Sequence, residues 1–122
     1  MPVNEKIKAK LVALEIGPES RGEEMWMTYL GITPREDHKL INILRIFDEL
    51  IIIPPEDSKK TKENDHLERE KENYKIHFIR KGGFDFLLHQ FLTQAKKKES
   101  NHRLRIKILG YLLRLLGYII NG

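Results

Sequence analysis

The run TPREDHKLINILRIFDELIIIPP, Thr33 to Pro55, decides how the rest of the chain is read. Thr33 can accept a free backbone N–H, Pro34 suits the first helical position, and Glu36 can reach back to the Thr33 N–H. That is a capping box with a proline in its first turn. Behind it, Leu40, Ile43, Leu44, Phe47, Leu50 and Ile51 recur at the helical period and make one side apolar. Pro54-Pro55 ends the helix. Ile51-Ile52-Ile53 taken alone favours a strand, but the helical period runs into it, so the helix is carried through.

Toward the N-terminus, Val3, Ile7, Leu11 and Leu14 form one stripe of a helix over residues 3–16, stopped by Gly17-Pro18. Met25, Trp26, Tyr29 and Leu30 make a brief second helix closed by Gly31. At this spacing Trp26 with one methionine beside it reads as core rather than as a binding patch.

Toward the C-terminus, residues 56–73 are nearly all charge, with Leu67 the sole apolar residue. So polar a run buries too little to offset the entropy of ordering. It is expected as a charged flexible insertion whose last part joins the next helix. Tyr74, Phe78 and Ile79 then give a short helix ended by Gly82-Gly83. Phe84, Leu87, Leu88, Phe91 and Leu92 give another, up to Lys96–Lys98. Ser100 or Asn101 can cap a third, with a stripe of Leu104, Ile108, Leu109, Leu112, Leu113, Leu116 and Ile120 that Leu115 and Ile119 widen. This face is broader than its own unit can cover, so a neighbouring unit, another subunit or further chain is expected against it.

The pattern is all-α and periodic. Each half reads as helix, break, helix, break, long helix, and triplets of this size are what armadillo-type solenoids stack. The expected organisation is a first helical unit over 1–55, a charged loop over 56–73 and a second armadillo-like unit over 74–122.

Composition narrows the chemistry. With no cysteine among 122 residues there is no disulfide, no thiolate zinc site and no thiol nucleophile. This fits a cytoplasmic setting, or a nuclear one, without proving it. The histidines, His38, His66, His77, His89 and His102, fall in no zinc-binding spacing, and no metal or cofactor is expected. Gly82-Gly83 follows no strand and lacks the lysine of a phosphate loop; a left-handed helix end is the better reading. The most apolar stretch, Leu109 to Ile120, is interrupted by Arg114 and falls short of the ~20 residues of a spanning helix, so no membrane partner is expected. The net charge of +4 is spread among acids rather than gathered in a stripe. Lys96-Lys97-Lys98 with Arg103, Arg105 and Lys107 is the nearest thing to a nucleic-acid patch, and the reading is against one.

The segment Phe78-Ile79-Arg80-Lys81-Gly82-Gly83-Phe84-Asp85-Phe86-Leu87-Leu88 resembles an armadillo repeat, and Ile108 to Leu116 resembles that repeat's long third helix. More narrowly, Trp26 to Pro34 together with Phe78 to Leu88 resembles the helical-repeat regions flanking the catalytic domain of very large ubiquitin-specific proteases, the fat-facets-like group. The resemblance implies a non-catalytic scaffold or protein-interaction segment, with any deubiquitinating activity belonging to a larger parent, because the family's cysteine and histidine boxes are absent here. The alternative is an independent armadillo-like adaptor unrelated to ubiquitin. In peptide-binding armadillo proteins an asparagine on the third helix grips the ligand backbone; the matching position here is Arg114. Helix position singles out His38, Asn42, Arg45, Glu49, Lys107 and Arg114 as candidate contacts for protein partners or neighbouring repeats.

Overall fold

The computed structural model describes residues 3–15, 23–33, 36–53, 62–97 and 102–121. They form six helices and, among the described residues, no strand: α1 Val3–Ala13, α2 Glu23–Leu30, α3 Asp37–Ile51, α4 Lys62–Arg80, α5 Gly83–Lys96 and α6 His102–Asn121. The fold is all-α.

Of the expected capping box only the bond from Glu36 back to Thr33 forms: the N-cap of α3 is Glu36 rather than Thr33, no side chain caps the helix, and Pro34 lies outside the described residues. Glu36 Oε1 accepts the Thr33 N–H at 3.1 Å, and Lys39 at 2.6 Å from Glu36 holds that carboxyl below its usual range. Regular helix then begins at Asp37 and stops earlier than expected. Ile52 is extended, with φ −85° and ψ 129°, so two of the three isoleucines leave the helix. The strand-like preference of a β-branched run wins locally. The first helix also stops early, at Ala13, and Leu14 takes a left-handed φ of 43° while its side chain is buried. The expected stops at Gly17-Pro18 and Pro54-Pro55, and the cap at Ser100 or Asn101, lie outside the described residues.

The charged run is corrected more substantially. Residues 62–73, expected as part of a flexible loop, are the first two-thirds of α4. Glu, Lys and Arg are good helix formers. Pairs one turn apart support the helix, such as His66 with Glu70 at 3.0 Å. Tyr74 and Phe78, a turn further on, pack the same helix into the core. Lys75 follows them in. It is 5% exposed, 3.0 Å from Glu72, and its ammonium lies 5.6 Å from the centre of the Tyr118 ring on α6. Residues 56–61, the rest of the expected loop, lie outside the described residues.

A single apolar core runs through both halves. At its centre the Trp26 indole stacks on Phe86 of α5, 5.2 Å between centroids and 17° between planes, and meets Phe78 of α4 and Phe47 of α3 edge-on at 5.5 and 6.4 Å. Phe47 and Phe78 touch in turn at 4.8 Å. Trp26 Nε1–H donates to the Lys81 carbonyl at 3.1 Å, so its polar edge is used as well. Beside that carbonyl lies the α4–α5 corner. Gly82 sits at φ 86°, where a side chain is strained, and Gly83 opens α5 directly. A Cβ on Gly83 would fall 2.4 Å from the Phe78 ring, so the ring occupies the space a side chain would need.

The halves lie side by side and run the same way. α2 packs on α5, and α3 packs most extensively on α6; α1 and α4 both lean on α3. Hydrogen bonds across the seam join Tyr74 to Leu11, Gln90 to Met27 and Lys97 to Asp37, spanning 63, 63 and 60 residues. Position along one half therefore rises with position along the other.

Helix C-termini are closed by side chains from other helices. Tyr29 Oη donates to the Lys10 carbonyl at 2.7 Å and Tyr74 Oη to that of Leu11, both at the end of α1. Burial pushes the Tyr74 phenol well above its usual range, which keeps it a donor. Lys71 Nζ reaches the Ile52 carbonyl at 3.0 Å, beyond α3, and Trp26 closes α4. Arg105 donates to the carbonyls of Lys97 at 3.0 Å and Ala95 at 3.3 Å, at the end of α5. Carbonyls in a last turn have no partner within their own helix, so these bonds fill an obligatory vacancy.

Two sets of substitutions follow. Trp26→Ala is expected to cost about 3–5 kcal/mol, and Leu112→Ala, on the buried side of α6, about 2–5 kcal/mol, by urea unfolding. Gly83→Ala is expected to cost about 1–3 kcal/mol through overpacking against Phe78; stability equal to wild type would show that the ring has room to move.

Candidate protein-interaction face

The residues singled out on α3 share one face. His38, Asn42, Arg45 and Glu49 fall at i, i+4, i+7 and i+11; His38, Arg45 and Glu49 are exposed and Asn42 half-buried. Arg45 Nη2 donates to Asn42 Oδ1 at 2.8 Å, which fixes the guanidinium along the helix. Glu49 lies 3.8 Å from Lys8 of α1, a contact exposed at both ends and of little energetic weight. On α6, Lys107 and Arg114 are exposed and seven residues apart, again on one face.

Asp48 brings the two faces together. Arg114 Nε stands 2.9 Å from Asp48 Oδ1, and Asp48 adjoins Glu49, so the α6 basic residue is anchored at the edge of the α3 surface. The geometry is that of an ion pair rather than a hydrogen bond, because Oδ1 is buried and has no aligned donor. Burial raises the Asp48 carboxyl above its ordinary value, and the Arg114 charge only partly opposes this. Asp48 went unremarked in the sequence, though it carried a signal: an acid on the flank of the apolar side of α3, four residues from Leu44 and four from Ile52. Arg114, singled out in the sequence as a candidate partner contact, is thus engaged with its own fold.

Beyond this pair the two helices end in an open groove of about 670 Å³. Ile52, Ile53, Leu113, Gly117 and Tyr118 give it an apolar floor, and Arg114 and Asn121 give it polar edges. The surface as a whole mixes two acids, Asp48 and Glu49, with several bases and an apolar trough.

Two of the basic residues considered for nucleic acid are used internally, while Lys96, Arg103 and Lys107 are exposed. Lys97 Nζ is 3.1 Å from Asp37 and Arg105 closes α5, while Lys98 lies outside the described residues. His38, His66, His77 and His89 are exposed and dispersed, and His66 is paired with Glu70. Among the described residues no group of three or more His, Asp or Glu is arranged to hold a metal ion. No described helix is long and apolar enough to cross a membrane.

A raised carboxyl pKa means that the folded state binds the proton more tightly than the unfolded chain, so its effect is to lower stability as pH rises through the Asp48 titration. Lowering pH from neutral to ~pH 4 should therefore move stability in favour of wild type relative to Asp48→Asn, measured by urea unfolding at both pH values. A shift in the opposite direction would mean that the Arg114 charge outweighs burial.

Comparison of the chain with protein-family models, with characterised proteins and with solved structures finds no match.

Proposed function

We propose that this chain is a non-catalytic helical-repeat segment, two armadillo-like triplets stacked as a short α-solenoid, that binds or scaffolds other proteins through the exposed face of α3 and α6. The observation that supports this reading is the packing of α2 on α5 and of α3 on α6, with Gln90 bonded to Met27 and Arg114 paired with Asp48 at similar sequence separations. Pairing of equivalent helices is how solenoid repeats bury their cores, and the surface so produced is an extended one suited to protein ligands. The lack of cysteine removes thiol catalysis from this chain. The scaffold reading further assigns it no chemistry of its own and a cytoplasmic or nuclear working place.

Within that reading, the resemblance carried by Trp26 to Pro34 and Phe78 to Leu88 favours a role in protein deubiquitination exerted through a larger parent protein. The independent adaptor is the second reading, and the short groove between α3 and α6 serves it equally well. In either case the ligand chemistry is a peptide segment offering an acid to Arg45 and Lys107 and an apolar side chain to the trough lined by Ile53 and Leu113.

Affinity capture with wild type and with the double variant Arg45→Glu, Lys107→Glu tests this. Both sites are exposed, so the variant should keep its helix content. Proteins retained by wild type and lost from the variant are the expected result, with ubiquitin-pathway components among them on the first reading and none on the second. Equal retention by both proteins, or retention by neither, would remove the face from consideration.

A further inference from the structure

The trough between α3 and α6 does not stop at Ile53. That residue also lines a second open recess, of about 430 Å³, whose other walls are Glu68, Arg69 and Glu72 of α4. The cause is local: Ile52 is extended, so Ile53 is carried out of the helix and left half-buried between the two depressions. A second link joins them. Glu72 of the recess stands 3.0 Å from the Lys75 ammonium, which lies 5.6 Å from the centre of the Tyr118 ring in the trough wall. Because α3 packs on both α6 and α4, its C-terminal end is where the two depressions meet.

Their charges differ in sign. Between residues 69 and 75, α4 carries Arg69, Lys71 and Lys75, and two of these are drawn inward. Lys71 Nζ donates to the Ile52 carbonyl at 3.0 Å, and Lys75 is 5% exposed. Glu68 and Glu72, one turn apart on one side of α4, are left at the recess with Arg69 as the only base among its lining residues. Glu72 is held by Lys75 yet its side chain is 48% exposed. On α6 the balance is opposite, with four Lys and Arg and no acid from His102 to Asn121. Complementary charge is what fixes the register of a ligand in an open groove. A segment that seats an apolar side chain in the trough and turns its acid to Lys107 meets carboxylates where it crosses Ile53. We infer that the partner of this face is a peptide segment carrying, in order, an acid, an apolar residue and a base, with the base lodged against Glu68 and Glu72. This rests on the scaffold reading and gives its ligand a polarity. Lys107 precedes Leu113 by six residues, about 9 Å along the helix, which is the reach of about three extended residues.

Panning a random-peptide display library on the full chain tests the inference, with Arg45→Glu, Lys107→Glu as the counter-selection. Peptides retained by wild type and lost from that variant should share an acid, an apolar residue about three positions away and a Lys or Arg beyond it. In a synthetic peptide of the selected sequence, replacing that base by Glu should weaken binding to wild type about tenfold or more, and Glu68→Lys in the protein should recover most of the loss. Glu68→Lys spares the pair of Glu72 with buried Lys75, and circular dichroism checks its fold. If it does not fold, the milder Glu68→Gln should still lower affinity for the selected peptide several-fold. Selected peptides with the acid and the apolar residue but no preference for a base overturn the inference and leave the scaffold reading standing. If no peptide distinguishes wild type from the double variant, the face itself is removed, and the inference with it.

Discussion

The contact on which the remaining structure depends is the face-to-face packing of the Trp26 indole and the Phe86 ring. It joins a helix near the start of the chain to one sixty residues later, and Phe47 and Phe78 close around it from two further helices. Aromatic pairs of this kind add roughly 0.5–1.5 kcal/mol each beyond the area they bury. Their larger effect is geometric, since three rings packed around one indole leave few relative placements of the four helices that carry them. The bare backbone at Gly83 belongs to the same constraint, because the Phe78 ring reaches its place only where no side chain intervenes.

Around this hub the helix ends are stitched to one another. Tyrosines from α2 and α4, a lysine from α4, the tryptophan of α2 and an arginine of α6 each occupy carbonyls at the end of some other helix. The bonds of Trp26 and Tyr74 cross between the two triplets, so neither triplet completes its own backbone hydrogen bonding alone. The two sets of three helices therefore share one core and one network of helix-end bonds.

Much of this was legible in the residues. The bond between Thr33 and Glu36, the left-handed turn at Gly82 and the apolar stripe of α3 are local features, and local rules sufficed for them, although the helix itself starts at Asp37. Other features depend on distant partners. Residues 62–73 look unable to fold because their helix is stabilised by its far end, where Tyr74 and Phe78 enter a core built by other elements. Leu113 and Ile120 belong to the apolar stripe of α6 by spacing, yet they face outward, because α3 and α5 cover only part of that broad surface. The face of α3 and α6 was visible as two separate sets of exposed side chains; the ion pair of Asp48 with Arg114 that joins them required knowing which helices are neighbours.

Trp26 is the single tryptophan of the chain. Because its ring lies where α2, α3, α4 and α5 converge, intrinsic emission from this one indole integrates the state of both triplets at once. The molecule carries a built-in optical gauge: if ultraviolet fluorescence and backbone dichroism fade together on heating, the seam and the helices melt as a unit, and an earlier loss of the fluorescence signal marks a looser, still helical form.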